Sequence, residues 1–362
     1  MSSEPRQRQA PPNRCTLQRR PSTCQEIYDS SSTSVRKSIR SGPRANYRVL
    51  LPACAVTELP LVPVGVHVFE RGWLSSNNIL FADGGQTLLV DSGYCSHADQ
   101  TLSLVGGILG DRPLDVLINT HLHSDHCGGN SALQARYPLV DTRIPPGQAP
   151  QVEKWDPIAL TYLPTGQLCP HFRFTSVLQP GSEMRFGASK WQLHAAAGHD
   201  PHSMIFFEPS HKVLISADSL WENGFGVVFP ELEGADAFEQ VSASLDLIES
   251  LDPKTVIPGH GRVFAYSPEV LSKARQRLDS FVKEPLKHAR HAAKVLLKFK
   301  LLEVQKQDIR EFRQWAISTP YLKRIREKFF PELELDAWLE QLCQELISAG
   351  VAKREGRYLL NT

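Results

Sequence analysis

The stretch PLDVLINTHLHSDH (113–126) decides the fold. Its first half, PLDVLINT (113–120), is a short apolar run of the kind that makes a buried strand. Its second half, His121-Leu122-His123-Ser124-Asp125-His126, puts three imidazoles and a carboxylate where that strand ends. Such a donor mix suits a borderline-soft divalent cation such as zinc. Histidines this crowded would repel one another when protonated unless something bound them. Alternation along an extended segment places His121 and His123 on one side, leaving Asp125 and His126 free to turn toward a second ion.

Working outward, further donors follow other apolar runs. His199 lies in AAAGHDPHS, 73 residues after His126; Asp218 ends the run KVLISA, 19 residues later; His260 lies in VIPGHG, 42 residues after that. Each follows a strand-like segment and precedes a loop, so all three could meet the His-rich loop at one sheet edge. The surrounding pattern supplies the sheets. VGVHVFE (64–70) reads as a strand, and NNILFA (77–82) and QTLLVD (86–91) flank Asp83-Gly84-Gly85 as a hairpin. EMRF (183–186) with KWQLHAA (190–196), and SMIFFE (203–208) with KVLISA (212–217), read as two more strand pairs. Helices are expected near 129–137 and over 235–251, where Phe238, Val241, Leu245 and Ile248 recur at helical spacing, and TVIPG (255–259) as a strand. The proline-rich segment 142–180 reads as a long irregular insertion whose aromatics favour ordered packing.

The ends differ from the middle. Of the 362 residues, 1–48 carry 10 Lys and Arg against 3 Asp and Glu; 49–266 carry 11 against 23; 267–362 carry 19 against 13. The first segment, rich in Arg, Ser, Pro and Gln, reads as a disordered basic extension; a transit peptide or an over-long gene start are the other readings. The last reads as helices from Pro268 onward, a helix over 334–350 capped by Gly350, and a hairpin over VAKREGRYLL (351–360), an order resembling a winged helix. The first of these helices, with Lys273, Arg275, Arg277, Lys283 and Lys287, is expected at the mouth of the site, where it could steer an anionic substrate. Seven scattered cysteines with no CxxC, and no apolar N-terminal stretch, fit a reducing cytoplasm. No apolar run is long enough to span a membrane.

The segments LLVDSG (88–93), NTHLHSDHCGGN (119–130), AGHDPHS (197–203), SADSL (216–220) and PGHG (258–261) together resemble the metallo-β-lactamase-fold superfamily, and within it glyoxalase II and lactonase-type hydrolases. The resemblance covers roughly residues 60–265. It implies an α+β fold: a four-layer αβ/βα sandwich over 49–266, followed by a helical, winged-helix-like C-terminal domain over 267–362. It implies two divalent metal ions, with zinc the expected metal: the first on His121, His123 and His199, the second on Asp125, His126 and His260, with Asp218 bridging. Asp91 would be a structural carboxylate behind the metal loop. The implied chemistry is attack of a metal-bridging hydroxide on a thioester (acyl-CoA or carrier-bound acyl) or a related ester or lactone. Asp125 and Asp218 are the catalytic carboxylates in this reading, and Tyr94 and Trp221 the candidate substrate contacts, Tyr94 as a donor to an oxyanion.

Details within the segments separate the branches. Asp218 is not the cysteine of one β-lactamase group, although SADSL keeps β-lactam hydrolysis open as an alternative. PGHG favours the glyoxalase and lactonase side, and His123 in place of Glu disfavours a flavodiiron pattern. The 42 residues between Asp218 and His260 leave no room for the insertion of the nucleic-acid-cutting branch. A single-strand nuclease using the basic C-terminal region is the other alternative, and a nucleic-acid-binding regulator with a relic metal domain a third. The tail shows no Arg/Lys glutathione-binding signature, which counts against glutathione thioesters. The expected partner is a small-molecule or carrier-bound acyl substrate rather than nucleic acid or membrane.

Overall fold

The computed structural model describes residues 62–362; the basic extension expected over 1–48 lies outside the described residues. Two six-stranded sheets lie face to face. The first has the order β1 (Val66–Phe69), β2 (Asn78–Phe81), β3 (Leu88–Val90), β4 (Val116–Ile118), β5 (Asp141–Ile144) and β6 (Ser176–Val177). The second runs from β12 (Phe264–Ala265) through β11 (Thr255–Pro258), β10 (Val213–Ala217), β9 (Met204–Glu208) and β8 (Ser189–Ala195) to β7 (Glu183–Phe186). All three expected strand pairs form antiparallel ladders. The strand read from PLDVLINT sits between β3 and β5, parallel to both.

Both faces of each sheet are covered, so the central strands read as continuous apolar runs. Alternation divides them. Ile79, Phe81, Leu88 and Val90 pack inward against Met204, Phe206, Val213 and Ile215 of the opposite sheet. Leu80, Leu89 and Leu117 face outward against Val105 and Leu109 of α1 (Ala98–Leu109) and Leu133. On the far side, Ile205, Phe207, Leu214 and Val256 meet two helices, α7 (Ala237–Leu251) and α8 (Pro268–Lys283). This is the four-layer sandwich the resemblance implied.

The remaining helices in chain order are α2 (Ser124–Cys127), α3 (Asn130–Arg136), α4 (Ala149–Lys154), α5 (Tyr162–Thr165), α6 (Phe229–Glu233), α9 (Pro285–Val304), α10 (Ile309–Ser318), α11 (Pro320–Phe329) and α12 (Leu335–Ser348). The expected irregular insertion thus carries two short helices, and its aromatics are ordered: Tyr162 and Phe172 are buried with Leu122 and Ile144. α8 behaves differently from the rest of the C-terminal region. Its apolar face (Val270, Leu271, Ala274, Leu278, Phe281) belongs to the sandwich core. Proline at 285 ends it, and α9 turns away into a second core with α10, α11 and α12. The hairpin expected over 351–360 forms as β14 (Ala352–Glu355) and β15 (Tyr358–Asn361), with β13 (Lys306–Asp308) added beside β15. Gly350, at φ 76°, closes α12 as expected of a left-handed cap. Among the described residues no helix is long and apolar enough to cross a membrane.

Candidate metal centre

Loops at the ends of β4, β8, β10 and β11 build one site, the side of a parallel strand pair where ligands commonly bind. After β4, the loop 120–126 is pinned by backbone bonds: Ser92 N–H to His126 O (2.7 Å) and Ser76 N–H to Asp125 O (2.9 Å). After β10, the register shifts between Ile215 and Ala217, and Ala217 takes φ 48°, which swings Asp218 off the strand. After β11, the Asn77 side-chain amide donates to Pro258 O (2.9 Å) and Gly261 O (2.8 Å), fixing the turn that carries His260.

The seven sequence candidates converge. The donor atoms of His121, His123 and His199 lie within 4.8 Å of one another, as do those of His121, His126 and Asp218, and those of Asp125, His126 and His260. Asp218 stands between the groups: its Oδ2 is 3.3 Å from His199 Nε2 and 3.8 Å from His260 Nε2, and its Oδ1 is 3.5 Å from His126 Nε2. His121, His126, His199, Asp218 and His260 are buried, while His123 and Asp125 are half-buried at the cavity side.

Supporting groups fix which ring nitrogen each imidazole presents. His126 Nδ1–H donates to Asp91 Oδ2 at 2.8 Å, and Asp91 also accepts from Thr120 N–H (2.9 Å) and Thr120 Oγ1 (2.8 Å). His199 Nδ1–H donates to Val227 O at 2.6 Å. In both residues the remaining Nε2 is buried with no hydrogen-bond partner among the described residues. Buried imidazole nitrogens left without a partner are costly unless a cation takes them.

The electrostatics agree. Burial opposes charge on His126, but Asp218 and Asp91 outweigh it and hold its imidazolium well above the usual histidine range. Burial likewise opposes charge on Asp218, yet His260 and His126 keep its carboxyl well below the usual range. The carboxylates therefore demand positive charge in this space. Burial and the neighbouring rings push His121 down, and burial, chiefly, brings His199 to about 4, so both are neutral donors at pH 7. The backbone leaves matching room. A Cβ at Gly226 would stand 2.4 Å from His199 Nδ1, and one at Gly259 would stand 2.1 Å from Asp218 Oδ1. The residues fit a pair of divalent cations.

The site opens into a cavity of about 350 Å³. Trp221 lines it and donates Nε1–H to Asp218 Oδ1 (3.2 Å). Trp73, which the sequence reading did not single out, stacks on His260 at 5.5 Å and meets Trp221 edge-on. Asp200, quoted in AGHDPHS but given no role there, is buried on the cavity wall with Oδ2 3.7 Å from His123 Nε2. Tyr94 is placed elsewhere. It is fully buried, its hydroxyl accepts the Leu168 N–H (3.0 Å), and it does not line the cavity. It ties the insertion to the segment after β3, while Tyr162, which donates to Leu122 O (3.0 Å), and Ser124, which donates to Gln167 (2.6 Å), tie it to the loop 120–126.

The C-terminal contribution also differs from expectation. The helix at the mouth is α9, through Val295, Phe299 and Leu302, and not α8. Because the apolar face of α8 docks on α7, its cations are used along the flank: Arg275 pairs with Asp246 (2.7 Å) and Glu249 (2.8 Å), and Lys273 donates to Asn223 (3.2 Å). None of the five steering candidates lines the cavity.

Comparison with known proteins follows the same lines. The acyl-coenzyme A thioesterase MBLAC2 of Gallus gallus is 24% identical over 229 residues, covering 56% of this chain and 80% of that protein. A hydroxyacylglutathione hydrolase of Brucella anthropi is 24% identical over 164 residues, covering 45% of this chain and 50% of that protein, so the chain spans about half that relative's length. A solved metallo-beta-lactamase family protein from Thermus thermophilus is similar at 17% identity with a TM-score of 0.48, covering 82% of this chain and 99% of that one. The sequence model of the metallo-beta-lactamase superfamily matches residues 71–260, a span that holds every donor described above and more than half of the chain. The chain belongs to the metallo-beta-lactamase superfamily.

Proposed function

We propose that the protein is a dinuclear metal-dependent hydrolase of thioesters, with zinc as the metal. His121, His123 and His199 would hold one ion, Asp125, His126 and His260 the other, and Asp218 both. When bound, the two ions supply Lewis acidity at the scissile carbonyl and lower the pKa of water toward ~7. The protein's own groups do the rest. Asp125, half-buried beside the cavity with Oδ2 3.2 Å from His260 Nε2, orients the attacking water and accepts its proton. Burial opposes its ionisation, but His260 and His126 outweigh this and hold its carboxyl below the usual range, so it is an acceptor at neutral pH. Trp221 holds Asp218 through Nε1–H, and Trp73 and Trp221 pack around His260, keeping the floor of the site rigid and dry. The departing thiolate leaves through the cavity.

The proposal includes the division of the chain into a catalytic unit over 49–266 and a winged-helix-like unit over 267–362, with α8 as the link packed on the catalytic side. It also places the enzyme in the cytoplasm. The observation that carries the reading is the convergence of seven donor atoms, two of them orphaned and buried, on the floor of a cavity that no Lys or Arg other than Lys298 lines among the described residues. That lining suits a neutral acyl group better than a phosphodiester chain. A panel of acetyl, octanoyl and lactoyl thioesters, a β-lactam and single-stranded RNA tests it. Thiol release with the thioesters, abolished by a chelator and restored by zinc, is the expected result. Cleavage of RNA or β-lactam alone would overturn it.

A further inference from the structure

The cavity has two unlike walls. The insertion contributes Gln148, Gln151, Thr161, Thr165 and Gln167, all uncharged and hydrogen-bonding. The opposite wall is Val295, Phe299 and Leu302 of α9, with Phe229 and Pro230 of α6 and Tyr321 of α11. α9 is apolar on two sides. Ala293, Leu297 and Leu301 are buried in the C-terminal core; Val295, which also packs against that core, and Phe299 and Leu302 are half-buried. The spacing 295, 299, 302 is one helical stripe, turned to the cavity that also holds the metal-site residues. Between these positions the Lys298 ammonium is held by hydrogen bonds to Val351 O (2.6 Å) and to the Thr362 carbonyl (3.3 Å). Its stem alone can face the cavity.

An apolar stripe left half-exposed beside a metal centre needs an apolar occupant, because water against it gains nothing and a polar group there loses its hydrogen bonds. From this we propose, resting on the thioester reading above, that α9 forms an acyl-binding wall. The substrate is then an unbranched, medium-length acyl group in thioester linkage to a thiol arm that carries amide groups. The acyl chain lies on α9, and the amides of the arm lie on the Gln and Thr wall, where Gln167, its Oε1 taken by Ser124, offers its amide N–H. From Val295 to Leu302 the stripe advances seven residues at about 1.5 Å each, roughly 10 Å, which sets the chain length near octanoyl to decanoyl. A short hydroxyacyl group would leave the stripe uncovered and bring a hydroxyl to an apolar wall.

The test uses the zinc-loaded full chain and N-acetylcysteamine thioesters from acetyl to dodecanoyl, together with calorimetric binding of octanoate, which needs no turnover. The expected kcat/KM rises by about fourfold per methylene until the wall is covered, then levels. Val295→Phe and, independently, Leu302→Phe fill the stripe. Each should cut kcat/KM for octanoyl and decanoyl at least tenfold more than for acetyl, and weaken octanoate binding in parallel. Thiol release with a flat chain-length profile that neither variant changes would overturn the acyl wall and leave the thioester reading standing. Octanoate binding that both variants weaken, with no thiol released from any thioester, would keep the wall and overturn the thioester reading.

Discussion

Replacing Asp91 by asparagine tests the support of the metal loop at a single buried group. Asp91 sits at φ 57° and is buried, and its two oxygens accept three hydrogen bonds, from Thr120 N–H, Thr120 Oγ1 and His126 Nδ1. Asparagine keeps the shape and one oxygen. If its oxygen takes the Oδ2 place, the NH2 group faces the Thr120 N–H, donor against donor. If the NH2 takes that place, it faces His126 Nδ1, which must give up its proton. The proton then moves to Nε2, the atom that otherwise points its lone pair into the site. Either way one buried donor is left unpaired, at about 1–3 kcal/mol. Loss of such an oriented partner lowers metal affinity by about 10–100-fold. Zinc affinity would be measured by competition with a chromogenic chelator, and stability of the stripped protein by urea unfolding. The expected result is one site weakened at least tenfold and stability lower by about 2 kcal/mol. Unchanged affinity at both sites would refute the claim that Asp91 sets the His126 tautomer.

Gly226→Ala should drive a methyl into His199, whose Nδ1 lies 2.4 Å from the new Cβ, costing about 1–3 kcal/mol and displacing one ion, while Gly107→Ala, in open space on α1, should leave metal content unchanged. Metal analysis of the two purified variants decides; equal content would refute the packing argument. Burial and the Arg277 charge bring His288 down to about 3. Its folded pKa is thus below its unfolded value near 6.5, so its stabilisation is full above that pH and is lost as pH falls toward 3. Between pH 6.5 and 5 that loss is about 2 kcal/mol, and His288→Phe should flatten the decline in urea unfolding at those two pH values; an identical decline would refute it.

The two sheets were legible because both their faces are covered. Strands such as MIFFE and VLISA are buried along their whole length and apolar but for Glu208 and Ser216, and such short apolar runs read as strands. The candidate metal donors were legible for a local reason too: they sit at strand ends in short motifs. What the sequence hid was long-range. α1 was not anticipated, since ADQTLSLVGGIL carries Gly106 and Gly107 and is helical because Val105 and Leu109 pack on the first sheet. Nothing near Tyr94 signalled that its hydroxyl would be taken by Leu168, 74 residues away. The amphipathic pattern of α8 was visible, but not that its apolar face belongs to the sandwich, which moved the cavity wall to α9. Asp200 and Trp73 carry no spacing signal of their own, and only the folded edge brings them to the site.

The most direct measurement is a titration of chelator-stripped protein with zinc, following bound metal and octanoyl thioester hydrolysis in the same samples. The account predicts that binding saturates at close to two ions per chain, that hydrolysis is absent at zero equivalents, and that it reaches its plateau as the second equivalent binds. His121→Ala and Asp218→Ala should each lower both plateaus. Hydrolysis that survives complete metal removal, or a chain that binds no zinc, would contradict it.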